Sequence, residues 1–572
     1  MNAKKGLGVI ALAVLVVLVG LPTLLLLITA FTDSPPRPGA PIGNFTLENI
    51  AALASGGAIE AAGNSLVVSV FGTGFAVATG TLMAWLTVRT DMPFKGLAAL
   101  AGIVPLFMSA LVGSLAWALL GSPNSGYLNV ALNSIGLPNL VNIYSLGGMI
   151  FVLGLFYAPY SFLMVASSLQ LMNPELEEAA SVHGASKRWV MRWISLPLVT
   201  PAIAGSSLLT FVLISENFPV VQIFGAPGRV DTIPAQIFRL MTSTPQQPNR
   251  AAAIGVFLLL VLSVFLLIQR RSVNRRNYTT VTGKGFRPKR IPLGVLRWPM
   301  LLIVIGYLCA AVLLPYAALL LSSLRSFQYV ETLADLFTLE GLSFDSFINA
   351  FEYEPFMEAI SNTLLIAVGT AVCGVGLNFF IAYLVKRSQS KVNVVLELLV
   401  NVPLAIPALV LSMGFLWVTL RVPVPIYGTL LILVLAYITR FLPQGFQGIV
   451  ANIGQVHPDL EDAAKVSGAR PISAVVRILL PLMKGGIAST MLLLFILSFR
   501  ELSAALFLFT SDTRVISIVI YDQWAAGSSA QVAAMSLIYS ALLLLVTIFA
   551  RKWVGLESEK AAPNPIENIR KR

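Results

Sequence analysis

Four polar side chains interrupt otherwise apolar stretches of this sequence. Glu216 and Asn217 lie in one stretch, and Arg500 and Glu501 lie in another. Charges inside segments that cross a membrane are costly and usually serve function. An offset of 284 residues aligns Glu216 with Arg500 and Asn217 with Glu501. The pattern indicates either residues that line or gate a path through the membrane, or an ion pair between two related helices.

The distance along the helix predicts where these residues lie. Glu216 follows Pro197 by a length of helix of about 27 Å, which places it near the outer end of its span. We therefore expect Glu216 to meet Arg500 across the axis that relates the two segments. Arg440 lies near the inner end of another apolar stretch. Its side chain is expected to extend to the membrane interface, as long basic side chains often do.

The same offset relates two polar segments, residues 178–197 and 462–481. Each has an acid, two alanines, a glycine after three intervening residues, and a final leucine-proline pair. Acidic residues favour the start of a helix, and glycine allows a helix to end in a left-handed turn. The spacing predicts a short helix, a glycine turn and a second short helix that together project as a docking surface. The docking residues are Glu178, Ala179, Ala180 and Gly184 in the first copy, and Asp462, Ala463, Ala464 and Gly468 in the second.

The composition places these segments in a membrane protein. Of the 572 residues 57% are hydrophobic and 11% are charged, whereas a soluble protein carries about 25% charge. Apolar runs of about 20 residues predict an all-α polytopic protein with about twelve transmembrane helices. The predicted spans are residues 6–31, 62–88, 97–120, 144–169, 198–221, 251–268, 298–321, 362–385, 394–420, 427–450, 485–509 and 531–550.

The net charge of +12 is distributed unevenly along the chain. Residues 270–297 contain nine basic residues and no acid, whereas residues 322–360 contain seven acids and one arginine. Basic loops remain in the cytoplasm, so both termini are expected on the cytoplasmic side of the membrane. The charge is therefore not that of a nucleic-acid-binding protein. Residues 270–297 are expected to be a solvated tether that contacts anionic lipid.

The repeats predict two parallel halves. Asn64 and Ser65 at the start of the second span return as Asn362 and Thr363 at the start of the eighth. Six spans, an even number, separate the equivalent elements, so both halves have the same orientation. The expected division is a first transmembrane domain (1–269), a basic linker (270–297), a second transmembrane domain (298–552) and a cytoplasmic tail (553–572).

The spacing of the two docking segments resembles the signature loop of permease subunits in binding-protein-dependent ABC importers of type I. The first copy matches fully, and the second departs only at Asp462, where the family has glutamate. The resemblance implies that each loop binds one of two separate ATP-binding subunits, and that a solute-binding protein docks on the outer face. ATP would be bound by those subunits, and no cofactor by this chain.

The substrate branch is suggested by a second resemblance. Residues 498–506 and 520–522 look most like the ferric iron permeases, while thiamine, aminoalkylphosphonate and polyamine permeases are the alternatives. The resemblance implies transport of iron(III), which the binding protein holds.

Other classes of function fit the sequence less well. The chain contains no phosphate-binding Gly-x-x-x-x-Gly-Lys-Ser/Thr motif, so we expect a transport subunit and not an enzyme. Two cysteines and two histidines, His183 and His457, do not suggest a metal site. An ion-coupled secondary transporter would need coupling carboxylates near the membrane centre and no docking loop, and it is the remaining alternative.

Overall fold

The computed structural model consists mainly of α-helices. Fifteen of the described helices are candidate membrane spans or parts of bent spans. It describes residues 2–39, 41–54, 57–137, 139–172, 175–274, 290–325, 330, 332–338, 341–388, 390–422 and 425–553. Nine of the described helices are long and apolar enough to cross a membrane unbroken, and three bent pairs bring the spans to twelve. This confirms the predicted all-α polytopic class.

The unbroken helices are α1 (Gly6–Ala30), α2 (Ala58–Arg89), α5 (Leu146–Gln170), α6 (Met191–Ser215), α7 (Pro248–Ile268), α8 (Gly294–Leu324), α9 (Glu354–Arg387), α12 (Leu430–Gln455) and α15 (Ser529–Ala550). The bent pairs are α3 (Lys95–Phe107) with α4 (Ala110–Gly121), α10 (Val392–Leu404) with α11 (Ala408–Arg421), and α13 (Pro471–Leu482) with α14 (Lys484–Phe499). Shorter helices cover Glu48–Ala51, Tyr127–Asn133, Glu175–Val182, Lys187–Val190, Phe218–Gly228, Ile233–Thr242, Leu333–Phe337, Asp345–Glu352, Asp459–Val466 and Ile516–Ala525.

Two spans that the sequence predicts as straight are sharply bent. The bend is 103° between α3 and α4 and 112° between α10 and α11. Both sites contain proline at equivalent positions, Pro105 and Pro403, within short 3-10 turns. Proline has no N–H to continue the helix, and its ring clashes with the preceding turn. The chain therefore changes direction at the same point in each half.

Within the described residues, four spans contain a single π-helical turn, and each turn lies just before a proline. The turns are Val16–Gly20, Met191–Ser195, Cys309–Leu313 and Val475–Leu479. The prolines that follow are Pro22, Pro197, Pro315 and Pro481. A π turn rearranges the backbone hydrogen bonds where the proline ring would meet the carbonyl one turn earlier. These turns form two equivalent pairs, one member in each half.

Matching hydrogen bonds support the parallel repeat. The hydroxyl of Ser65 accepts a hydrogen bond from the backbone N–H of Ile233 at 2.8 Å, and Thr363 accepts one from Ile516 at 2.9 Å. Each bond fixes the start of a short helix, Ile233–Thr242 or Ile516–Ala525, against the first turns of α2 or α9. The residues that the sequence pairs across the repeat thus make the same contact in both halves.

The first span of each half packs on the other half. A Cβ added to Gly414 of α11 would lie 2.8 Å from the carbonyl oxygen of Pro22 in α1, so these backbones are in close contact. In the second half, the Tyr307 hydroxyl of α8 donates a hydrogen bond to the Leu155 carbonyl of α5 at 3.0 Å. These two contacts, of α1 with α11 and of α8 with α5, connect the halves.

The end of the linker is not a free tether. The N–H of Ile291 donates to the Arg89 carbonyl at 2.8 Å, and the N–H of Leu293 donates to the Asp91 carboxylate at 2.8 Å. Arg297 pairs with the same carboxylate at 3.2 Å. Most side chains of residues 290–297 are exposed to solvent, but Asp91 fixes this end of the linker to the loop after α2. Residues 275–289 and 554–572 lie outside the described residues.

Candidate functional site

The four polar residues lie where two helices end. The helix α6 ends at Ser215 and α14 ends at Phe499, so Glu216 and Arg500 occupy equivalent C-terminal positions. The prediction that these spans continue to residues 221 and 509 is wrong. Glu216 has φ −96° and ψ −2°, and Arg500 has φ −90° and ψ −3°, so the backbone turns in the same way at both breaks.

Asn217 and Glu501 cap the chain as it turns away from the break. Asn217 Oδ1 accepts a hydrogen bond from the N–H of Val220 at 3.0 Å, and Glu501 Oε1 accepts one from Ala504 at 2.9 Å. In both cases the donor lies three residues further on, the spacing of a helix N-cap. Asn217 also donates to the Tyr157 hydroxyl at 3.0 Å. One function of these two side chains is therefore to hold the break itself.

A small polar cavity lies between these breaks, with a volume of about 120 Å³. Its walls are built from equivalent positions of both halves, including Ala110 with Ala408 and Tyr157 with Phe441. The complete lining is Ala110, Phe156, Tyr157, Tyr160, Leu213, Glu216, Asn217, Pro219, Ala408, Arg440, Phe441, Leu497, Arg500, Glu501, Leu502 and Ser503. A cavity lined by equivalent residues lies on the pseudo-twofold axis, where a path between the halves would run.

Arg440 lies inside this cavity and not at the membrane interface. Its residue is only 7% exposed, and its guanidinium forms an ion pair with the Glu216 carboxylate. The prediction that Arg440 extends to the interface is therefore wrong. The equivalent position in the first half is Phe156. The ion pair consequently occurs on one side of the axis and joins the second half to the first.

Arg500 does not pair with Glu216 as the repeat suggested. Its guanidinium donates a hydrogen bond to the carbonyl oxygen of Leu106, which lies in the 3-10 turn before the bend of the first half. The expected Glu216–Arg500 ion pair is wrong because Arg440, one helix away, occupies the carboxylate. Both arginines still connect the halves, one to a side chain and one to the backbone.

Some polar atoms around the cavity have no hydrogen-bond partner in the described part of the chain. They are Glu216 Oε2, Arg440 Nε and Arg500 Nε. Buried polar atoms are almost always paired with protein or with water. The cavity is large enough to hold water molecules beside these atoms. Across the described residues, no three His, Cys, Asp or Glu side chains are close enough to hold a metal ion together.

The predicted docking segments have the expected local structure. The helices Glu175–Val182 and Asp459–Val466 each end at a glycine with positive φ, 81° at Gly184 and 85° at Gly468. Residues 173 and 174, which precede the first of these helices, lie outside the described residues. The second short helix of the first copy, Lys187–Val190, leads into the π turn of α6.

The docking surface is exposed and partly apolar. Glu178, Ala179, Asp462 and Ala463 are exposed, while Ala180 and Ala464 are half-buried. Large apolar side chains stand beside them at equivalent positions, with Leu176 50%, Val182 84%, Leu460 46% and Val466 91% exposed. Exposed apolar groups clustered on one surface are typical of protein–protein interaction sites.

The sequence analysis did not single out the glutamates that precede the docking acids. Glu177 and Glu461 are buried, and each forms an ion pair with an arginine, Arg89 and Arg387 respectively. The signal was present, because all four residues recur in the repeat. The offset is 298 residues for the arginines and 284 for the glutamates, because the loop after α4 is longer than the loop after α11.

Comparison with known proteins identifies the family. Residues 72–278 and 374–554 match the family described as binding-protein-dependent transport system inner membrane component. A ferric transport system permease protein FbpB of Actinobacillus pleuropneumoniae is 26% identical over 498 residues, covering 86% of this chain and 69% of the relative. The Fe(3+)-transport system permease protein FbpB 2 of Haemophilus influenzae is 23% identical over 491 residues, covering 85% and 87%.

Among solved structures, a bacterial ABC transporter involved in the import of the polysaccharide alginate aligns with 44% of this chain and 89% of its own. The identity is 20% and the TM-score is 0.37. The family match covers well over half of the sequence, occurs once in each half, and agrees with the helical architecture described above. The chain belongs to the family of inner membrane components of binding-protein-dependent transport systems, as a fused two-repeat permease of an ABC importer.

Proposed function

We propose that this permease forms the path by which iron(III) crosses the inner membrane. The observation that supports iron(III) is the similarity to ferric permeases along most of the chain, in both halves. The carboxylates of Glu216 and Glu501 and the hydroxyls of Tyr157 and Tyr160 line the central cavity. Such oxygen groups are the ligands that hard cations prefer, so they suit weak contacts along a path.

The central cavity is the proposed site of the gate. Glu216 and Arg440 are both buried, and their ion pair joins the halves directly beside the axis. Arg500 adds a second link between the halves through the Leu106 carbonyl. A path can open here only if these links break or exchange partners. Among the atoms without a partner in the described residues, Glu216 Oε2 would accept hydrogen bonds from water, and the Nε atoms of Arg440 and Arg500 would donate to it, as that exchange proceeds.

The docking segments are the proposed binding sites for two separate ATPase subunits, one on each loop. Their exposed alanines, acids and apolar side chains support this assignment. The basic linker supports a cytoplasmic position for the loops, both termini and the ATPases. A solute-binding protein would then deliver iron(III) to the opposite face. Hydrolysis of ATP would move the two loops and alternate the access of the cavity between the two faces.

A second substrate is favoured by one feature of the cavity. Arg440 and Arg500 present two guanidinium groups, which suit a phosphonate or phosphate oxyanion. A relative whose name refers to 2-aminoethylphosphonate transport is 25% identical over 248 residues, 42% of this chain. This makes an aminoalkylphosphonate the alternative to iron(III).

The partner binding protein distinguishes the substrates directly. The purified binding protein is titrated with iron(III), 2-aminoethylphosphonate, thiamine and spermidine, and its intrinsic fluorescence is measured. We expect saturable binding of iron(III) alone. Binding of the phosphonate with no response to iron(III) would contradict the proposed substrate while leaving the importer assignment intact.

A further inference from the structure

Each docking loop is held by a buried carboxylate that lies one residue before the docking acid. Glu177 precedes Glu178, and Glu461 precedes Asp462. Glu177 is 9% exposed and Glu461 is 3% exposed, whereas the docking acids face solvent. Adjacent acids on one short helix thus point in different ways, one outward to a partner and one inward to the protein.

The inward carboxylate pairs with the last residue of a long helix. Arg89 ends α2 and forms an ion pair with Glu177. Arg387 ends α9 and pairs with Glu461, with 2.8 Å between Nε and Oε1. Neither long helix is adjacent in sequence to the loop that it holds. The ion pair therefore adds a link to each docking helix beyond its two chain connections.

The second oxygen of each carboxylate is also bonded, but by different helices. In the first half, the Ser195 hydroxyl at the start of α6 donates to Glu177 Oε1 at 2.5 Å. In the second half, the Tyr383 hydroxyl of α9 donates to Glu461 Oε2 at 3.0 Å. We call these two sets the docking-loop anchors: Arg89, Glu177 and Ser195, and Arg387, Glu461 and Tyr383.

The second donor comes from a different position in each of the two anchors. Leu479 occupies the position of Ser195 in the second half and has no donor, while Tyr383 supplies the bond. Trp85 occupies the position of Tyr383 in the first half, where Ser195 supplies it. In both halves, therefore, both oxygens of the buried carboxylate accept hydrogen bonds, but the second donor differs. A buried charge that loses a partner is unstable, so each anchor holds as a unit.

The helices that carry the anchors pack closely on the walls of the central cavity. A Cβ added to Gly80 of α2 would lie 2.3 Å from the Ala158 carbonyl, next to the cavity residue Tyr157. In the second half, a Cβ added to Gly445 of α12 would lie 2.2 Å from Asn378 of α9. Contacts this close leave little room for one helix to move without its neighbour.

We infer that the docking-loop anchors are positioning residues for energy coupling, which make each docking helix move together with α2 or α9. Movement of an ATPase would then reach the cavity through the anchor and the close contact of α2 with α5 or of α9 with α12. This inference rests on the proposed binding of ATPases to the docking loops. It predicts that weakening an anchor lowers transport per ATP without removing the ATPases.

The inference can be tested because the second donor is Ser195 in one anchor and Tyr383 in the other. Ser195→Leu removes the donor of the first anchor, and the cavity of about 640 Å³ beside Ser195 and Trp85 leaves space for the new side chain. The double variant Trp85→Tyr, Ser195→Leu reproduces the arrangement of the second half. Each full-length variant is purified with its ATPases and placed in vesicles with the binding protein. Iron(III) uptake and ATP hydrolysis are measured together, with ATPase co-purification as a separate readout.

We expect Ser195→Leu to lower iron(III) uptake per ATP by roughly fivefold or more, with ATPase co-purification unchanged, and Trp85→Tyr to restore it. Glu461→Gln, which retains the shape of the side chain, should lower the same ratio. Glu397→Gln, an exposed acid on α10, is the control and should leave it unchanged.

An unchanged ratio in both Ser195→Leu and Glu461→Gln would overturn the inference, as would a double variant that remains as uncoupled as Ser195→Leu. Failure of the unaltered chain to co-purify ATPases would instead contradict the proposed function, so the two failures can be told apart.

Discussion

The guanidinium of Arg440 and the carboxylate of Glu216 form a buried ion pair that joins the second half of the chain to the first. The pair lies beside the pseudo-twofold axis. The repeat does not duplicate it, because Phe156 occupies the position in the first half that is equivalent to Arg440. The two halves are therefore alike in fold and different in charge at the site of the proposed gate.

This ion pair can be tested by a double-mutant cycle of Glu216→Gln and Arg440→Gln. Removal of either partner leaves a buried charge and should destabilise the protein by about 3–5 kcal/mol. The double variant should lose less than the sum of the two single variants. Thermal unfolding in detergent and iron(III) uptake are the two measurements.

The exposed pair Asp231–Arg239, with 2.6 Å between its charged atoms, is the matched control and should contribute less than about 1 kcal/mol. Additive losses for Glu216 and Arg440 would show that the buried pair does not act as a unit. Coupled stability with unchanged uptake would identify a structural clamp and contradict the proposed gate.

The docking glycines should tolerate some side chains and not others. Gly184 and Gly468 have positive φ, and an added Cβ at either would meet no atom within 4 Å. The effect of substitution is therefore one of backbone conformation, about 1–2 kcal/mol for a residue with a side chain. Asparagine adopts this conformation more readily than a β-branched residue. Valine at both positions should abolish coupled uptake, whereas asparagine should retain most of it.

Insertion into the membrane, checked by yield and size-exclusion profile, should be normal for both glycine variants. Equal uptake by the double valine variant and the unaltered chain would show that the glycine turns do not shape the docking surface.

The close contact between α2 and α5 should be sensitive to a single methyl group. Gly80→Ala would place a carbon 2.3 Å from the Ala158 carbonyl, so the helices must separate. Overpacking of this kind costs about 1–3 kcal/mol. Gly74→Ala on the same helix meets no atom within 4 Å and should be neutral or slightly stabilising. Equal melting temperatures for Gly80→Ala and Gly74→Ala would contradict the close packing of α2 on α5.

The orientation in the membrane follows from the charge asymmetry. A reporter inserted at Gly341, in the acidic outer loop, should be extracytoplasmic, and one inserted within residues 275–289 should be cytoplasmic. An enzyme that is active on only one side of the membrane, fused at each position, makes the measurement. One reversed result would invalidate the number of spans between the two positions.

Much of this architecture could be predicted from the sequence because the apolar runs and the repeat are strong signals. The glycine turns at Gly184 and Gly468 were predicted correctly, since glycine at a helix end has a specific backbone consequence. The bends at Pro105 and Pro403 were missed, although the prolines were visible, because the apolar run continues through them.

The partner of Glu216 could not be predicted in the same way. The repeat relates Glu216 to Arg500, but it does not state which helices face each other across the axis. Arg440 reaches the carboxylate because α12 crosses beside the end of α6, and this depends on how the two halves pack. Helix length alone suggested an interfacial position for Arg440, because a distance along the chain does not reveal burial.

The most direct test of the central claim is ATP-driven uptake of radioactive iron(III) into vesicles that contain this chain, its two ATPase subunits and the iron-loaded binding protein. We predict that iron accumulates inside the vesicles only when ATP is present. The double variant Gly184→Val, Gly468→Val should abolish this accumulation while the complex remains assembled. A correctly assembled complex that hydrolyses ATP in response to its binding protein, yet accumulates no iron(III), would contradict the claim.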